Sequence, residues 1–210
     1  MSRLEKPPAR SKRQSGAGQL AELAGIVVVA LALALAIQAF IVKPFRIPSE
    51  SMVPTLAVSQ RVLVDRVSFR FSEPHRGDVV VFKPPAGAET GECGVEPHPP
   101  ESACPRPTDE RSDTNFIKRI VAGPGDRLRV VEGRVFLNGR EQPEPFTNPS
   151  ADCPICNLPE EITIPADHFF MMGDNRGASA DSREWGPVPK EWIIGNAFFT
   201  YWPPNRIGPL

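Results

Sequence analysis

One apolar run constrains the whole chain: residues 20–42 are interrupted only by Glu22 near the start and Gln38 near the end. As an α-helix, residues 23–42 would span about 30 Å, the thickness of the hydrocarbon core of a bilayer. Residues 1–22 carry five basic and two acidic side chains, a net charge of +3. Because cytoplasmic flanks of membrane helices are enriched in Lys and Arg, the run predicts a transmembrane helix whose N-terminal side is cytoplasmic.

The alternative for this run is a cleavable signal peptide, whose apolar region is usually shorter, roughly 7–15 residues. The small-x-small sequence at residues 34–36 lies inside the run rather than beyond its end, so we predict a retained anchor. The chain then divides into a disordered, basic cytoplasmic tail (residues 1–19), a transmembrane helix (20–42) and one extracytoplasmic domain (43–210).

The pattern after residue 42 favours β-structure. The 25 prolines of the chain argue against long helices, and no amphipathic helical period or internal repeat is present. Short apolar or alternating segments bounded by Gly, Pro, Asn and Asp predict strands. These segments are residues 61–67, 79–82, 115–121, 127–131, 134–137, 162–164, 168–172 and 192–202. Pro-rich excursions at residues 83–114 and 140–160 interrupt a domain that we predict to be mostly β.

All four cysteines, Cys93, Cys104, Cys153 and Cys156, follow the apolar run. An even number on the outer side of a membrane is typical of disulfides formed in an oxidising compartment. Four free thiols or a zinc site are the alternatives, and zinc would require the two excursions to meet. We predict disulfides and no metal, and the pairing cannot be read from the sequence.

Two serines lie between two prolines just after the apolar run, in the sequence Ile-Pro-Ser-Glu-Ser-Met-Val-Pro-Thr-Leu at residues 47–56. Pro48 and Pro54 suit neither a helix interior nor a central strand, and each pushes the preceding residue towards extended geometry. We therefore predict a rigid, extended loop that holds Ser49 and Ser51 near the membrane surface. A serine acts as a nucleophile only when a base removes its proton.

The chain offers two kinds of base. His75 and His98 lie in polar or Pro-rich segments, and His168 precedes an apolar strand, so each fits a surface or structural role. Lys118 interrupts an apolar β segment, and its neighbour Arg119 faces the opposite side of the strand. Burial lowers the pKa of a lysine and makes its neutral amine a competent base, as in known Ser–Lys pairs. A strand lysine is more often an edge or snorkelling residue, and the sequence alone does not bring Lys118 to Ser51.

A third polar cluster, residues 173–186, follows the predicted strand 168–172 and concentrates acids, arginines, serines and glycines in one irregular loop. Such a loop can be an ordinary surface loop with Asx turns and Asp–Arg pairs. It also has the short-range hydrogen-bonding groups that could hold a catalytic amine in place.

Four ordered blocks resemble the bacterial type I signal (leader) peptidases, the membrane-anchored Ser/Lys endopeptidases. They are residues 48–56, residues 76–82, the Lys-Arg pair at 118–119 with Pro-Gly-Asp at 124–126, and residues 173–183. Their order and spacing, and the anchor before them, agree over nearly the whole chain after residue 40. The resemblance implies an antiparallel β-domain of the signal peptidase type.

By this resemblance Ser51 is the nucleophile, Lys118 is the general base, and Ser49 donates to the oxyanion together with the Ser51 backbone amide. Ser179 would hydrogen-bond the lysine amine, and Asp181 with Arg183 would form a supporting ion pair. The resemblance also implies apolar pockets that accept small side chains at substrate positions −1 and −3. They would be lined by Phe45, Ile47, Met52, Leu56, Val81, Phe116, Ile117, Met172 and Ala180.

The resemblance implies an enzyme of the bacterial cytoplasmic membrane, with its catalytic domain on the periplasmic side, that cleaves signal-peptide-bearing pre-proteins after Ala-x-Ala sites. We expect the lipid bilayer as a partner, no cofactor, a monomer, and no nucleic acid, since the net charge of −1 gives no support for nucleic-acid binding. Two other readings stay open: an anchored β-domain without catalysis, and a serine hydrolase that uses His168. Self-cleaving repressors fit badly because they carry a DNA-binding domain where this chain has an anchor.

Overall fold

The computed structural model describes residues 16–148 and 153–210. Two compact units divide the chain, Met1–Ala39 and Phe40–Leu210. Helix α1 covers Gly16–Phe40, and its segment Gly18–Gln38, with a mean hydropathy of 2.6, is long and apolar enough to cross a membrane. A signal sequence would satisfy the same test, so length and composition do not separate an anchor from a cleaved leader.

The bounds of this helix differ from the prediction at both ends. Residues 16–19, predicted to be disordered, are helical, and residues 1–15 of the predicted tail lie outside the described residues. The helix ends at Phe40 rather than at Val42 because Val42 already pairs with Asp65 in a β-sheet.

The second unit is built from short strands and one helical turn. Its strands are β1 (Val42–Arg46), β2 (Arg61–Asp65), β3 (Val79–Phe82), β4 (Phe116–Ala122), β5 (Arg127–Val131), β6 (Arg134–Leu137), β7 (Arg140–Glu141), β8 (Leu158–Thr163), β9 (His168–Met172), β10 (Val188–Pro189), β11 (Ile193–Trp202) and β12 (Gly208–Pro209). Helix α2 is Ser182–Trp185. Short 3-10 helices cover Ser68–Arg70, Pro154–Cys156, Arg176–Ala178, Lys190–Trp192 and Pro204–Arg206.

Two antiparallel sheets contain these strands. The larger has the order β1-β2-β11-β3-β4-β9-β10, with β12 paired to β11, and the smaller has the order β7-β6-β5-β8. The predicted mostly β fold class with one N-terminal apolar helix is confirmed. Strand β4 lies inside the larger sheet between β3 and β9, and five of its seven residues are buried.

The turns of the small sheet follow from local sequence. Glu132 and Gly133 join β5 to β6 with positive φ values of 50° and 77°, and Asn138 with Gly139 joins β6 to β7 at 52° and 80°. Two consecutive residues with positive φ make the tight hairpin turn whose twist matches that of antiparallel strands, and Asn and Gly adopt this geometry at least cost.

Apolar side chains cover both faces of the larger sheet. All four residues of β3 are buried. Val79 and Val81 pack in one cluster with Met52 and Leu56, whereas Val80 and Phe82 pack on the other face with Trp185. A strand buried on both faces has an unbroken apolar sequence, as residues 79–82 do. A further cluster, which includes Leu128, Val130, Val135, Val121 and Phe170, joins the small sheet to β4 and β9.

The two Pro-rich excursions differ from each other in structure. Residues 83–114 contain no strand and are closed by a disulfide between Cys93 and Cys104. In the second excursion, β7 and the start of β8 fall within residues 140–160, and Cys153 forms a disulfide with Cys156. Residues 149–152 of this excursion lie outside the described residues.

Candidate active site

A cleft of about 540 Å³ opens where the ends of β1, β3 and β4 meet two loops. One wall is the end of β1 with the serine loop, the second is the start of β4 with β3, and the third is part of residues 173–181, which we call the Gly173 loop. The lining residues are Phe45, Arg46, Ile47, Pro48, Ser49, Ser51, Val81, Asn115, Phe116, Ile117, Lys118, Ala178 and Ala180.

The serine loop, residues 47–60, is fixed at its base and at its centre. The Ile47 amide donates to the Gln60 carbonyl and the Ser59 amide donates to the Ile47 carbonyl, both at 2.8 Å. Residues 49–56 form turns and bends, so the predicted extended conformation is wrong there. Met52 and Leu56 are both fully buried, and burying both side chains brings the Leu56 amide to 2.8 Å from the Met52 carbonyl, as in one helical turn.

Ser51 lies at the edge of this turn and is 6 % exposed. Its Oγ is 3.3 Å from the Oγ of Ser49, within reach of a hydrogen bond. The Ser51 carbonyl accepts the Asn175 amide at 3.1 Å, and the Asn175 side-chain amide donates to the Glu50 carbonyl at 3.2 Å. The nucleophile candidate is therefore held from both sides, by its own loop and by the Gly173 loop.

Lys118, on β4, is 4 % exposed and lines the same cleft. Its Nζ lies 5.8 Å from the centre of the Phe116 ring. Burial lowers the pKa of Lys118 from 10.5 to about 8; the charge of Asp181 opposes that shift, and Arg183 reinforces it. At pH 7 about one Lys118 side chain in ten is then neutral, against about one in 3,000 at the ordinary value. The structure thus provides a lysine that can accept a proton.

Asp181 and Arg183 form a fully buried, two-pronged ion pair. Arg183 Nε donates to Asp181 Oδ1 at 2.7 Å and Nη2 donates to Oδ2 at 2.8 Å. Burial acts to raise the pKa of Asp181, but the charge and hydrogen bonds of Arg183, together with Lys118 and the Gly173 amide, hold it below its usual range. A charged Asp181 also accepts the Gly173 amide at 3.0 Å and so fixes the start of the Gly173 loop.

Gly173 lies between Ser51 and Ser179. A Cβ atom at this position would stand 2.2 Å from Ser179 Oγ and 2.5 Å from the Ser51 carbonyl oxygen, so only glycine fits. Ser179 is buried, and its Oγ has no hydrogen-bond partner among the described residues. A buried hydroxyl without a partner is costly, so the Ser179 hydroxyl is available to a further hydrogen-bonding group.

Similarity to known proteins identifies the family of this chain. The sequence model of the family described as signal peptidase, peptidase S26, matches residues 20–202. The chain belongs to this family. The expected resemblance is therefore confirmed, and the chain is a peptidase of the S26 group.

Relatives with this description extend along most of the chain. A signal peptidase I from Leptolyngbya laminosa is 36 % identical over 206 residues, covering 97 % of this chain and 91 % of the relative. A signal peptidase I from Mycobacterium tuberculosis is 33 % identical over 234 residues, covering 96 % and 77 %. The thylakoidal processing peptidase 1 of Arabidopsis thaliana is 34 % identical and is covered over 55 % of its length. A crystal structure of a signal peptidase I from Enterococcus faecalis is 20 % identical, with a TM-score of 0.39 over 60 % of this chain and 97 % of that one.

The nine residues expected to line the substrate pockets divide between the cleft and the core beneath it. Six of the nine residues line the cleft: Phe45, Ile47, Val81, Phe116, Ile117 and Ala180. Met52, Leu56 and Met172 do not border it and are fully buried in the clusters beneath. The part that these three side chains play in binding substrate stays a prediction.

The histidines offered as alternative bases all lie in the described residues, and none lines this cleft. His168 borders a separate cavity, and its Nδ1 is 2.7 Å from the Ala166 carbonyl. His98 Nδ1 lies 3.3 Å from Glu96, and the two approach Cys93 closely enough to suggest a metal site. The Cys93 sulfur is part of a disulfide, however, so it offers no thiolate for a metal.

A second ion pair beside the cleft was not predicted. Arg119, predicted only to face away from Lys118, binds Asp174 through Nε at 2.9 Å and Nη2 at 2.7 Å, and it donates to the Gly77 carbonyl. The Thr55 hydroxyl also donates to Asp174. This pair ties β4, the serine loop and the Gly173 loop together. The polar cluster at residues 173–186 was the only sign of it in the sequence.

Proposed function

We propose that this chain is a membrane-anchored serine endopeptidase that removes N-terminal signal peptides from exported pre-proteins after small-x-small sites. Ser51 is the nucleophile and Lys118 the general base. The observation that carries the proposal is the presence, in one cleft, of a serine in a fixed turn and a buried lysine with a lowered pKa. A hydroxyl nucleophile with a neutral amine as its base forms the Ser–Lys variant of serine catalysis.

In the reaction, neutral Lys118 accepts the proton of Ser51 Oγ as the oxygen attacks the scissile carbonyl. The resulting tetrahedral intermediate collapses to an acyl-enzyme, and the lysinium gives its proton to the amine of the departing mature protein. Lys118, neutral again, removes a proton from water, which attacks the ester. The ester bond to Ser51 breaks, the signal peptide leaves with a new carboxyl group, and the lysinium returns its proton to Ser51 Oγ. The Asp181–Arg183 ion pair keeps the electrostatic environment of Lys118 constant throughout the reaction.

Ser49 and the backbone amide of Ser51 are the proposed donors to the oxyanion. Support for Ser49 comes from its Oγ, which lies 3.3 Å from the Ser51 Oγ. A donor that is already in place costs no reorganisation when charge develops on the carbonyl oxygen. Ser179, whose buried hydroxyl has no partner among the described residues, is proposed to hydrogen-bond the lysine amine.

Apolar residues of the cleft support the proposed preference for small side chains. Phe45 and Ile47 line the cleft together with Ala178 and Ala180 of the Gly173 loop. These residues are the proposed contacts for the substrate side chains at positions −1 and −3.

We further propose that α1 is retained as an anchor with its N-terminal side in the cytoplasm, and that the peptidase domain lies outside the cytoplasmic membrane. Support comes from the apolar helix and the basic charge before it. The proposed partners are signal-peptide-bearing pre-proteins and the lipid bilayer, with the enzyme acting as a monomer.

The test uses the full chain in detergent with a pre-protein that carries an Ala-x-Ala site. Mass spectrometry of the products is expected to show one cut after the second alanine. Leucine at −1 or −3 is expected to abolish the cut, whereas leucine at −2 is the matched control that leaves it. Cleavage unaffected by leucine at −1 would refute the proposed specificity, and no cleavage of any pre-protein by folded enzyme would favour a binding domain without catalysis.

A further inference from the structure

The Cys153–Cys156 disulfide lies against the buried ion pair that supports the catalytic lysine. The guanidinium Nη1 of Arg183 is 3.3 Å from the Cys156 sulfur and 3.6 Å from the Cys153 sulfur. The same Nη1 is 3.5 Å from the Ile155 carbonyl, inside the disulfide ring. The disulfide therefore forms one wall of the pocket that holds Arg183.

The Cys153–Cys156 disulfide also contacts the Gly173 loop directly. Its sulfurs lie 3.4 Å (Cys153) and 3.8 Å (Cys156) from the Arg176 carbonyl oxygen. That oxygen accepts a hydrogen bond from Arg183 Nη2 at 2.8 Å. The Cys156 carbonyl accepts the Gly133 amide at 2.8 Å, which fixes the disulfide to the turn between β5 and β6.

A second link from the same excursion supports this loop. Glu144, almost fully buried, binds the Arg176 guanidinium through two hydrogen bonds of 2.9 Å and 2.7 Å. Arg176 also donates to the Gly173 carbonyl at 3.1 Å. Residues of the second Pro-rich excursion therefore contact Arg176 in the Gly173 loop and Arg183 in α2.

The contacts form one chain from the disulfide to the Gly173 amide, and its charges act on Lys118 through the electric field. Arg183, held by the two sulfurs, fixes the Asp181 carboxylate, and Asp181 fixes the Gly173 amide. Asp181 and Arg183 are also the two charges with the largest effects on the pKa of Lys118. A displacement of Arg183 therefore changes both the position of the loop and the electrostatic surroundings of the base.

We propose that the Cys153–Cys156 disulfide is a positioning group for catalysis, so that cleavage activity depends on its oxidised state. A dithiol reductant supplies two electrons and two protons: the disulfide becomes two thiols, and the dithiol becomes a disulfide. Reduction removes the closed ring against Arg183, frees the Gly173 loop, and lowers turnover. The inference rests on the proposed Ser51–Lys118 chemistry.

The Cys93–Cys104 disulfide provides the matched control. Its sulfurs lie near the Arg106 carbonyl, and only the backbone amide of Cys104 bonds to Arg183, through the Arg183 carbonyl. Replacing both of these cysteines by alanine keeps that backbone bond. The variant leaves Cys153–Cys156 as the only disulfide, so the response to dithiothreitol reports on that disulfide alone.

The experiment measures kcat and KM of the full chain in detergent before and after dithiothreitol, with free thiols counted by alkylation and mass spectrometry. For the native chain and for the Cys93→Ala/Cys104→Ala variant, reduction is expected to lower kcat by about tenfold or more, with KM changed less than about threefold. Oxidation is expected to restore kcat. The Cys153→Ala/Cys156→Ala variant is expected to have the low kcat and no response.

Hydrogen exchange gives a readout that a remote structural disulfide would not change: the Gly173 amide is expected to exchange faster after reduction. Full kcat with both thiols alkylated would overturn the inference, and so would loss of the response in the Cys93→Ala/Cys104→Ala variant. If reduction removes the native tryptophan fluorescence, general unfolding explains the loss and the inference is also overturned. An oxidised native enzyme that cleaves nothing would refute the proposed function instead.

Discussion

Lys118 should reduce the stability of the folded enzyme, and replacing it should therefore stabilise the protein while it abolishes activity. The lysine is 4 % exposed, and its pKa falls from 10.5 to about 8 on folding. Below pH 8 the folded state must hold a buried cation that the unfolded chain holds in water. Methionine has a similar length and no charge, so Lys118→Met removes this cost and keeps most of the packing.

The size of the effect follows from the two pKa values. A difference of 2.5 units between 10.5 and about 8 corresponds to about 3 kcal/mol at 1.36 kcal/mol per unit. The folded pKa is the lower one, so the folded state binds fewer protons and stability rises with pH between about 8 and 10.5. The penalty is complete below pH 8, shrinks through that window and is absent above 10.5. Lys118→Met should therefore be about 3 kcal/mol more stable than native at pH 7 and equal to it near pH 10.5.

Urea unfolding of both proteins in detergent, followed by tryptophan fluorescence, measures this difference at pH 7, 9 and 10.5. The comparison isolates Lys118 because the other titrating groups are common to both proteins. Arg129→Met, at a partly exposed position on β5, is the control for removing a cation and should show no such dependence on pH. A Lys118→Met protein that is less stable than native at pH 7, or a difference that does not change with pH, would refute the buried-cation reasoning.

Three further predictions concern the same site. The value of kcat/KM should rise with pH and level off above about 8, as Lys118 loses its proton. Glu184→Gln should move the midpoint of this pH profile lower, because the charge of Glu184 raises the pKa of Lys118. A midpoint that moves to higher pH would contradict this. Ser49→Ala should lower kcat by about 100-fold with little change in KM, whereas a native kcat would remove Ser49 from the oxyanion site. Glu144→Gln should destabilise the protein by about 3 kcal/mol in urea unfolding, because it breaks a buried pair with Arg176; an unchanged midpoint would show that the pair contributes little.

The sequence was most informative where one local rule decides the structure. Residues 79–82, 127–131, 134–137 and 168–172 form strands at the predicted bounds, because unbroken or alternating apolar residues end at strong turn signals. The Glu132-Gly133 turn follows from the same local chemistry. Shared sequence blocks, rather than local pattern, brought Ser51 and Lys118 into one hypothesis.

The sequence was least informative where distant segments meet. Nothing in a Pro-rich excursion indicates that Glu144 pairs with Arg176, since the two residues are 32 positions apart in the sequence. Local proline rules predicted an extended serine loop, but the need to bury Met52 and Leu56 together produces a turn. Likewise, the apolar residue type alone did not indicate whether a side chain lines the cleft or lies in the core beneath it.

The most direct measurement of the central claim is cleavage of one Ala-x-Ala pre-protein by the native chain, Ser51→Ala, Lys118→Ala and a variant with all three histidines replaced by alanine. The account predicts that the native chain and the histidine variant cut at the same bond, and that both single variants are inactive although folded. A fully active Ser51→Ala or Lys118→Ala enzyme, or an inactive but folded histidine variant, would contradict it.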